Sequence, residues 1–172
     1  GVSAEETDLL ENYLRAFGIR GRSRWTKSWE RTSKTMDQET LAVCEALRVR
    51  IGELLLPFTE AIRKKGQTAR QMAEILYRFL EAGRLQEQLL DWEKESEAAG
   101  RPEKAEEYGQ IYGIIMELLD KIAVLLDEEP LTLEEFSQLL EAGFEEARAG
   151  MIPPETDRVL VGDIERTRLR NI

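Results

Sequence analysis

From Arg20 to Lys34 the chain reads Arg-Gly-Arg-Ser-Arg-Trp-Thr-Lys-Ser-Trp-Glu-Arg-Thr-Ser-Lys, six basic residues against one acid. The 172-residue chain carries a formal charge of −10, so this island of +5 leaves −15 on the remainder. Arginines and lysines interleaved with tryptophans suit nucleic acid, because the cations meet phosphate and the rings stack on bases. Arg20, Arg22, Arg24, Trp25, Lys27, Trp29 and Arg31 are the candidate contacts. The same residues also fit a loop whose cations lie over acidic neighbours while the tryptophans plug a core. Trp25 and Trp29 are four apart, which suits one face of a short helix.

Elsewhere the residue types exclude more than they suggest. There is no histidine, which removes Ser-His-Asp and Cys-His nucleophiles and every His-containing zinc site. The one cysteine, Cys44, reads as a small hydrophobe within a helix; it permits no internal disulfide and suits a cytoplasmic setting. Neither Asp127-Glu128-Glu129 nor Glu134-Glu135 has a calcium-loop pattern or the spacing to hold an ion, and a solvated helix face or helix N-terminus accounts for both. No Gly-rich phosphate loop or nucleophile elbow occurs. No apolar run is long enough to span a bilayer, so no membrane contact is expected.

The elements that must position the basic island are helices. The organising one is predicted from Asp37 to Lys65, with Leu47, Ile51, Leu54, Leu55, Phe58 and Ile62 forming its stripe. Asp37 caps it, Met36 and Leu41 staple it, Pro57 kinks it, Arg63, Lys64 and Lys65 suit its negative end, and Gly66 ends it. Before it, a helix runs from about Glu5 to Phe17, with Leu9, Leu10, Tyr13, Leu14 and Phe17 inward and Gly18 as its stop. After it, Thr68 and Gln71 form a capping box for a helix that buries Met72, Ile75, Leu76, Phe79 and Leu80. A fourth helix places Leu85, Leu89 and Trp92 inside. A fifth starts at Pro102, runs to about Asp127 and carries the widest apolar face, reaching Leu125 and Leu126, so it is expected beside the organising helix. Gly109 and Gly113 within it suggest close helix approach. Thr132 and Glu135 box the sixth, Leu131 and Phe136 staple it, and Leu139, Leu140 and Phe144 face inward. Met151-Ile-Pro-Pro154 then breaks helix, and Val159-Leu-Val161 reads as a short strand without a partner. With the start at Gly1, that lone strand suggests a piece of a larger protein. The fold class expected is all-α: an orthogonal bundle of about six helices over 1–152, with an extended segment over 153–172.

Two stretches carry a family resemblance. Leu10-Glu-Asn-Tyr-Leu-Arg-Ala-Phe-Gly-Ile-Arg-Gly-Arg-Ser-Arg-Trp25, and Ile152 to Leu169 with Val159-Leu-Val-Gly-Asp-Ile-Glu-Arg-Thr-Arg168 at its heart, resemble AddB, the B subunit of the bacterial ATP-dependent helicase–nuclease AddAB. The resemblance implies an internal helical arm, inserted into the second motor-like domain as in UvrD-like helicases, with 153–172 returning to that domain. It implies a non-catalytic role in processing double-strand break ends for recombinational repair, in which the arm supports duplex DNA or the partner subunit AddA. The alternative is a structural module that docks AddA without touching DNA. Arg166, Arg168 and Arg170 precede the expected motor strand, where they can meet DNA or pair structurally. The resemblance implies that the parent carries magnesium and an iron–sulfur cluster, the latter holding its C-terminal nuclease domain; no cofactor is expected in this fragment, and a single cysteine cannot supply a four-cysteine cluster.

Overall fold

A computed structural model describes residues 2–126, 128 and 130–150. The predicted strand at Val159–Val161 and the arginines at 166, 168 and 170 lie outside the described residues. Among those described the chain is all-α, a multi-helix bundle without strands. Its helices are α1 (Ala4–Phe17), α2 (Arg22–Trp25), α3 (Gln38–Ile62), α4 (Ala69–Ala82), α5 (Leu85–Ala98), α6 (Pro102–Leu125) and α7 (Leu133–Gly150). Seven elements stand where six were expected, because four residues of the basic island coil into α2.

The helix starts follow local chemistry. Asp37 accepts from the Thr40 N–H at 2.9 Å. Thr68 and Gln71 cap α4 reciprocally, as do Thr132 and Glu135 ahead of α7. A further box, Ser3 with Glu6, opens α1, and Gly18 closes that helix in the left-handed conformation at φ 61°. Each such cap is worth about 1 kcal/mol, because it satisfies N–H groups that the first turn leaves without partners.

The organising helix ends at Ile62, three residues before Lys65, and so keeps Arg63, Lys64 and Lys65 out of its last turn. The reason is Gln67. Its buried side chain folds back, and Nε2 donates to the carbonyls of Ala61 (3.0 Å), Ile62 (3.2 Å) and Lys64 (2.9 Å). A side-chain amide thus does what another helical turn or a cationic dipole partner would have done. The Gln67 carbonyl in turn accepts from the Leu131 N–H, tying this corner to the start of α7.

Two separate cores form along α3. Leu41, Cys44 and Leu47 meet Leu10 and Tyr13 of α1, with Ile19 and Trp29, at its N-terminal half. Ile62 at its other end joins Ala69, Met72 and Ala73 of α4, Leu119 and Ile122 of α6, and Phe136 of α7. Pro57 lies between them, within a helix that runs on through it at the cost of one backbone hydrogen bond. Contrary to the sequence expectation, α6 does not lie chiefly beside α3. Its main neighbours are α5, α4 and α7, and α4 stands between it and the organising helix.

That order explains other departures. Trp92, Leu125 and Phe144 were expected inside and are exposed. The helices α5 and α7 are outer elements that bury only the stripe facing the α4–α6 layer, and Leu125 sits in the last turn of α6. The indole of Trp92 rests against Tyr108 with ring centroids 5.6 Å apart. Close approach accounts for only one of the two predicted glycines. A methyl at Gly109 would come within 3.0 Å of the Glu93 carboxylate, whereas one at Gly113 would meet nothing within 4 Å. The closest helix contact is at Gly143 of α7, where a Cβ would collide with the Leu118 side chain of α6.

Candidate nucleic-acid interface

The basic island leaves α1 at Gly18, turns through α2 and returns to α3 as an extended strap. It does not form one continuous helix, and two residues of α3 explain why. In a helix the Trp25 carbonyl would accept from the Trp29 N–H four residues on. Here Arg48 Nη1 donates to the Trp25 carbonyl at 2.7 Å, and Glu45 Oε2 accepts from the Trp29 N–H at 3.1 Å. The α3 side chains take both halves of that bond. They also grip each other: Arg48 Nε and Nη2 donate to the two Glu45 oxygens at 2.7 and 2.6 Å. Only 12% of the Arg48 side chain is exposed. The Arg48 fork holds the Glu45 carboxyl below the usual carboxylate range against the opposing pull of burial, and Glu45 in turn raises the Arg48 guanidinium.

This clamp sorts the candidate residues. Trp29 is in the core, 8% exposed. Its ring stacks on Tyr13 at 5.3 Å and meets Trp25 edge-on at 5.4 Å, and Nε1 donates to the Arg24 carbonyl at 2.9 Å. Buried so, it presents no face to a base. Trp25 is half-buried against the same cluster. Tyr13, fully buried, donates its hydroxyl to the Arg31 carbonyl at 2.8 Å, and burial pushes its phenol up.

The cations divide likewise. Arg22 pairs with Glu60 at 2.6 Å, with both side chains more than half exposed. The Arg31 guanidinium lies 5.3 Å from the centre of the Phe17 ring and donates to the Phe17 carbonyl, at the C-terminus of α1. Arg20, Arg24 and Lys27 are exposed and make no ion pair among the described residues. Lys27 therefore stands within the clamped span and Arg20 and Arg24 just ahead of it, while Lys34, beyond it, is likewise exposed without an ion pair among the described residues.

Sequence reasoning missed Glu45 and Arg48. Their spacing of three on the predicted helix was a legible pairing signal, but their reach to Trp25 and Trp29 was not. Cys44, fully buried, has its thiol pushed up by burial, which suits packing and not reactivity. It is the one cysteine, so these residues do not fit a four-thiolate iron–sulfur cluster. No group of three or more acidic or sulfur ligands converges on a metal position among the described residues. No helix there is long and apolar enough to cross a membrane.

No protein-family model matches the chain. Individual proteins do. The chain is 40% identical over 171 residues, 98% of its length, to the B subunit of the ATP-dependent helicase/deoxyribonuclease of Lachnoclostridium phytofermentans. It is 36% identical over 171 residues to the protein of the same name from Clostridium novyi, and 37% identical over 180 residues to that from Clostridium botulinum strain Loch Maree, covering 99% of this chain in each case. It spans about 15% of the length of these curated relatives. At such identity over nearly every residue, the chain is homologous to a segment of the ATP-dependent helicase/deoxyribonuclease B subunits.

Proposed function

We propose that this chain is a non-catalytic accessory domain of a helicase–nuclease B subunit, which supports duplex DNA beside the partner AddA-type subunit while double-strand break ends are processed in the cytoplasm. The observation that carries the DNA reading is the strap. Arg20, Arg24 and Lys27 stand exposed without ion pairs among the described residues, within or just ahead of the Trp25–Trp29 span that Glu45 and Arg48 hold, in a chain otherwise rich in acids. Preformed cations of this kind meet phosphate without first breaking an internal pair. The tryptophans hold the strap and do not read bases, so contact is with the backbone and indifferent to sequence.

The test is a salt series of duplex and forked DNA binding by the 172-residue chain, beside a variant carrying Arg20→Ala, Arg24→Ala and Lys27→Ala. Three lost phosphate contacts lower the slope of log K against log salt by about 2.7. An unchanged slope, or no binding by the unsubstituted chain at low salt, rejects DNA contact and leaves the domain as a scaffold for its partner.

A further inference from the structure

The middle of α3 is apolar on more sides than the described residues cover. At about 100° per residue, Leu54, Phe58, Ile51, Leu55, Gly52, Leu56 and Val49 sweep an arc of about 220° around the helix. A helix packed on one side needs a stripe of about 100°. One half of the arc, Leu54 and Phe58, faces α4, with Phe58 stacked on Phe79 at 4.2 Å. Of the other half, Ile51 packs on the core shared with α1, while Gly52, Leu55, Leu56 and Val49 border a groove whose far wall, among the described residues, is α2 with Trp25. Leu55 remains 37% exposed and Val49 43%. Between α2 and α3 lies an open apolar groove of about 280 Å³ over Gly52, walled by Trp25, Leu55 and Leu56 and closed at one end by Arg63. A second groove of about 430 Å³ adjoins it along Val49 and Pro57.

We propose that this groove seats a helix from the remainder of the B subunit itself, outside the present chain, carrying large apolar residues at helical spacing and a carboxylate opposite Arg63. The chemistry follows from the lining. An apolar anchor dropped over Gly52 meets Trp25, Leu55 and Leu56, and Arg63, exposed and without an ion pair among the described residues, selects an acid at that end. The source follows from size. The two grooves together engage 13 residues, whereas an interface between independent subunits uses roughly 20 to 30 on each side. A segment tethered in the same chain needs far less, because its effective concentration is about millimolar. The relatives are more than six times the length of this chain, which supplies such a segment. The inference rests on the chain being part of a B subunit and is independent of DNA contact.

The experiment places the photo-crosslinking residue benzoylphenylalanine at Leu55 in the full-length B subunit, alone and with its partner, and as a control at exposed Glu107 of α6. Crosslinked peptides are identified by mass spectrometry. The expected result is a crosslink from position 55 to one segment of the same chain outside these 172 residues, with or without the partner, and none of it from position 107. Crosslinks only to the partner subunit, or none from position 55, overturn the proposal. Because Leu55 is partly exposed, the substitution leaves the melting of the 172-residue chain within about 3 °C. A larger loss moves the probe to Val49, where the same outcomes decide. DNA binding in the salt series is read separately, so failure of one reading does not mimic failure of the other.

Discussion

Replacing Trp29 separates the two readings of the basic island, because a core tryptophan and a base-stacking one fail differently. Truncation to alanine removes an indole that is 92% buried, its stack on Tyr13, its edge contact with Trp25 and the bond from Nε1 to the Arg24 carbonyl. A buried indole takes about 150 to 250 Å² out of water, worth roughly 4 to 6 kcal/mol as an upper bound at 25 cal/mol/Å². Partial collapse of the site brings the expected cost of Trp29→Ala to about 4 kcal/mol, within the usual range for such truncations. For a chain of this size that is a fall of about 8 to 16 °C in Tm. Trp29→Phe keeps a ring against Tyr13 and loses the indole N–H and some volume. Its cost is about 1 to 2 kcal/mol, from the lost volume and the bond to the partly buried Arg24 carbonyl. Thermal and urea unfolding of the 172-residue chain measure both. Duplex affinity of Trp29→Phe at fixed salt, below its melting range, supplies the second readout and is expected to stay within twofold. Had Trp29 been a stacking platform, its truncation would leave Tm nearly untouched and remove about 1 to 3 kcal/mol of binding. A Trp29→Ala chain that melts within 2 °C of the unsubstituted one refutes the packing argument.

The Glu45 clamp gives a pH dependence with a definite sign. Its carboxyl is depressed in the folded state, so it stabilises the fold fully above the unfolded value of about 4.3 and loses that contribution as pH falls through the lower folded value. Glu45→Gln is therefore expected to cost about 2 kcal/mol at pH 7 and to flatten the acid limb of the stability curve; an unchanged limb in urea titrations from pH 7 to 3 would show that the clamp is not the group responsible. At the other end of α3, Gln67→Leu keeps the side-chain volume but removes the amide donor from the carbonyls of Ile62 and Lys64, while that of Ala61 keeps the Lys64 N–H. A loss of about 1 to 3 kcal/mol is expected, with faster amide exchange at Leu131, whose N–H bonds the Gln67 carbonyl; exchange unchanged there would disconnect the cap from the α7 corner.

The sequence by itself determined whatever is decided within about four residues. Asp37, Thr68 with Gln71, and Thr132 with Glu135 announce helix starts because a cap and its target share one turn. The stripes of α1, α4 and α6 announce helices because burial repeats with the helical period. The Ser3–Glu6 box was equally legible and went unread. The resemblance to the B subunits is legible as well, and the two end stretches carry it, because 36–40% identity over 98–99% of the chain reflects residues and not contacts. Tertiary structure decided what depends on partners far along the chain. Which helix lies beside α6 is set by how α4 fills the space against α3, and no periodicity encodes a neighbour. The tryptophan spacing suggested a helix face, yet Glu45 and Arg48, 16 and 23 residues away from the groups they bind, captured the backbone and made a strap. The end of α3 moved for a similar reason, because an amide beyond the helix outcompeted another turn. The same long-range pairing hid Trp29, bound Arg22 and Arg31, and left Arg20, Arg24 and Lys27 without ion pairs among the described residues. Charge pattern marked the island, but only packing could say which of its residues face outward.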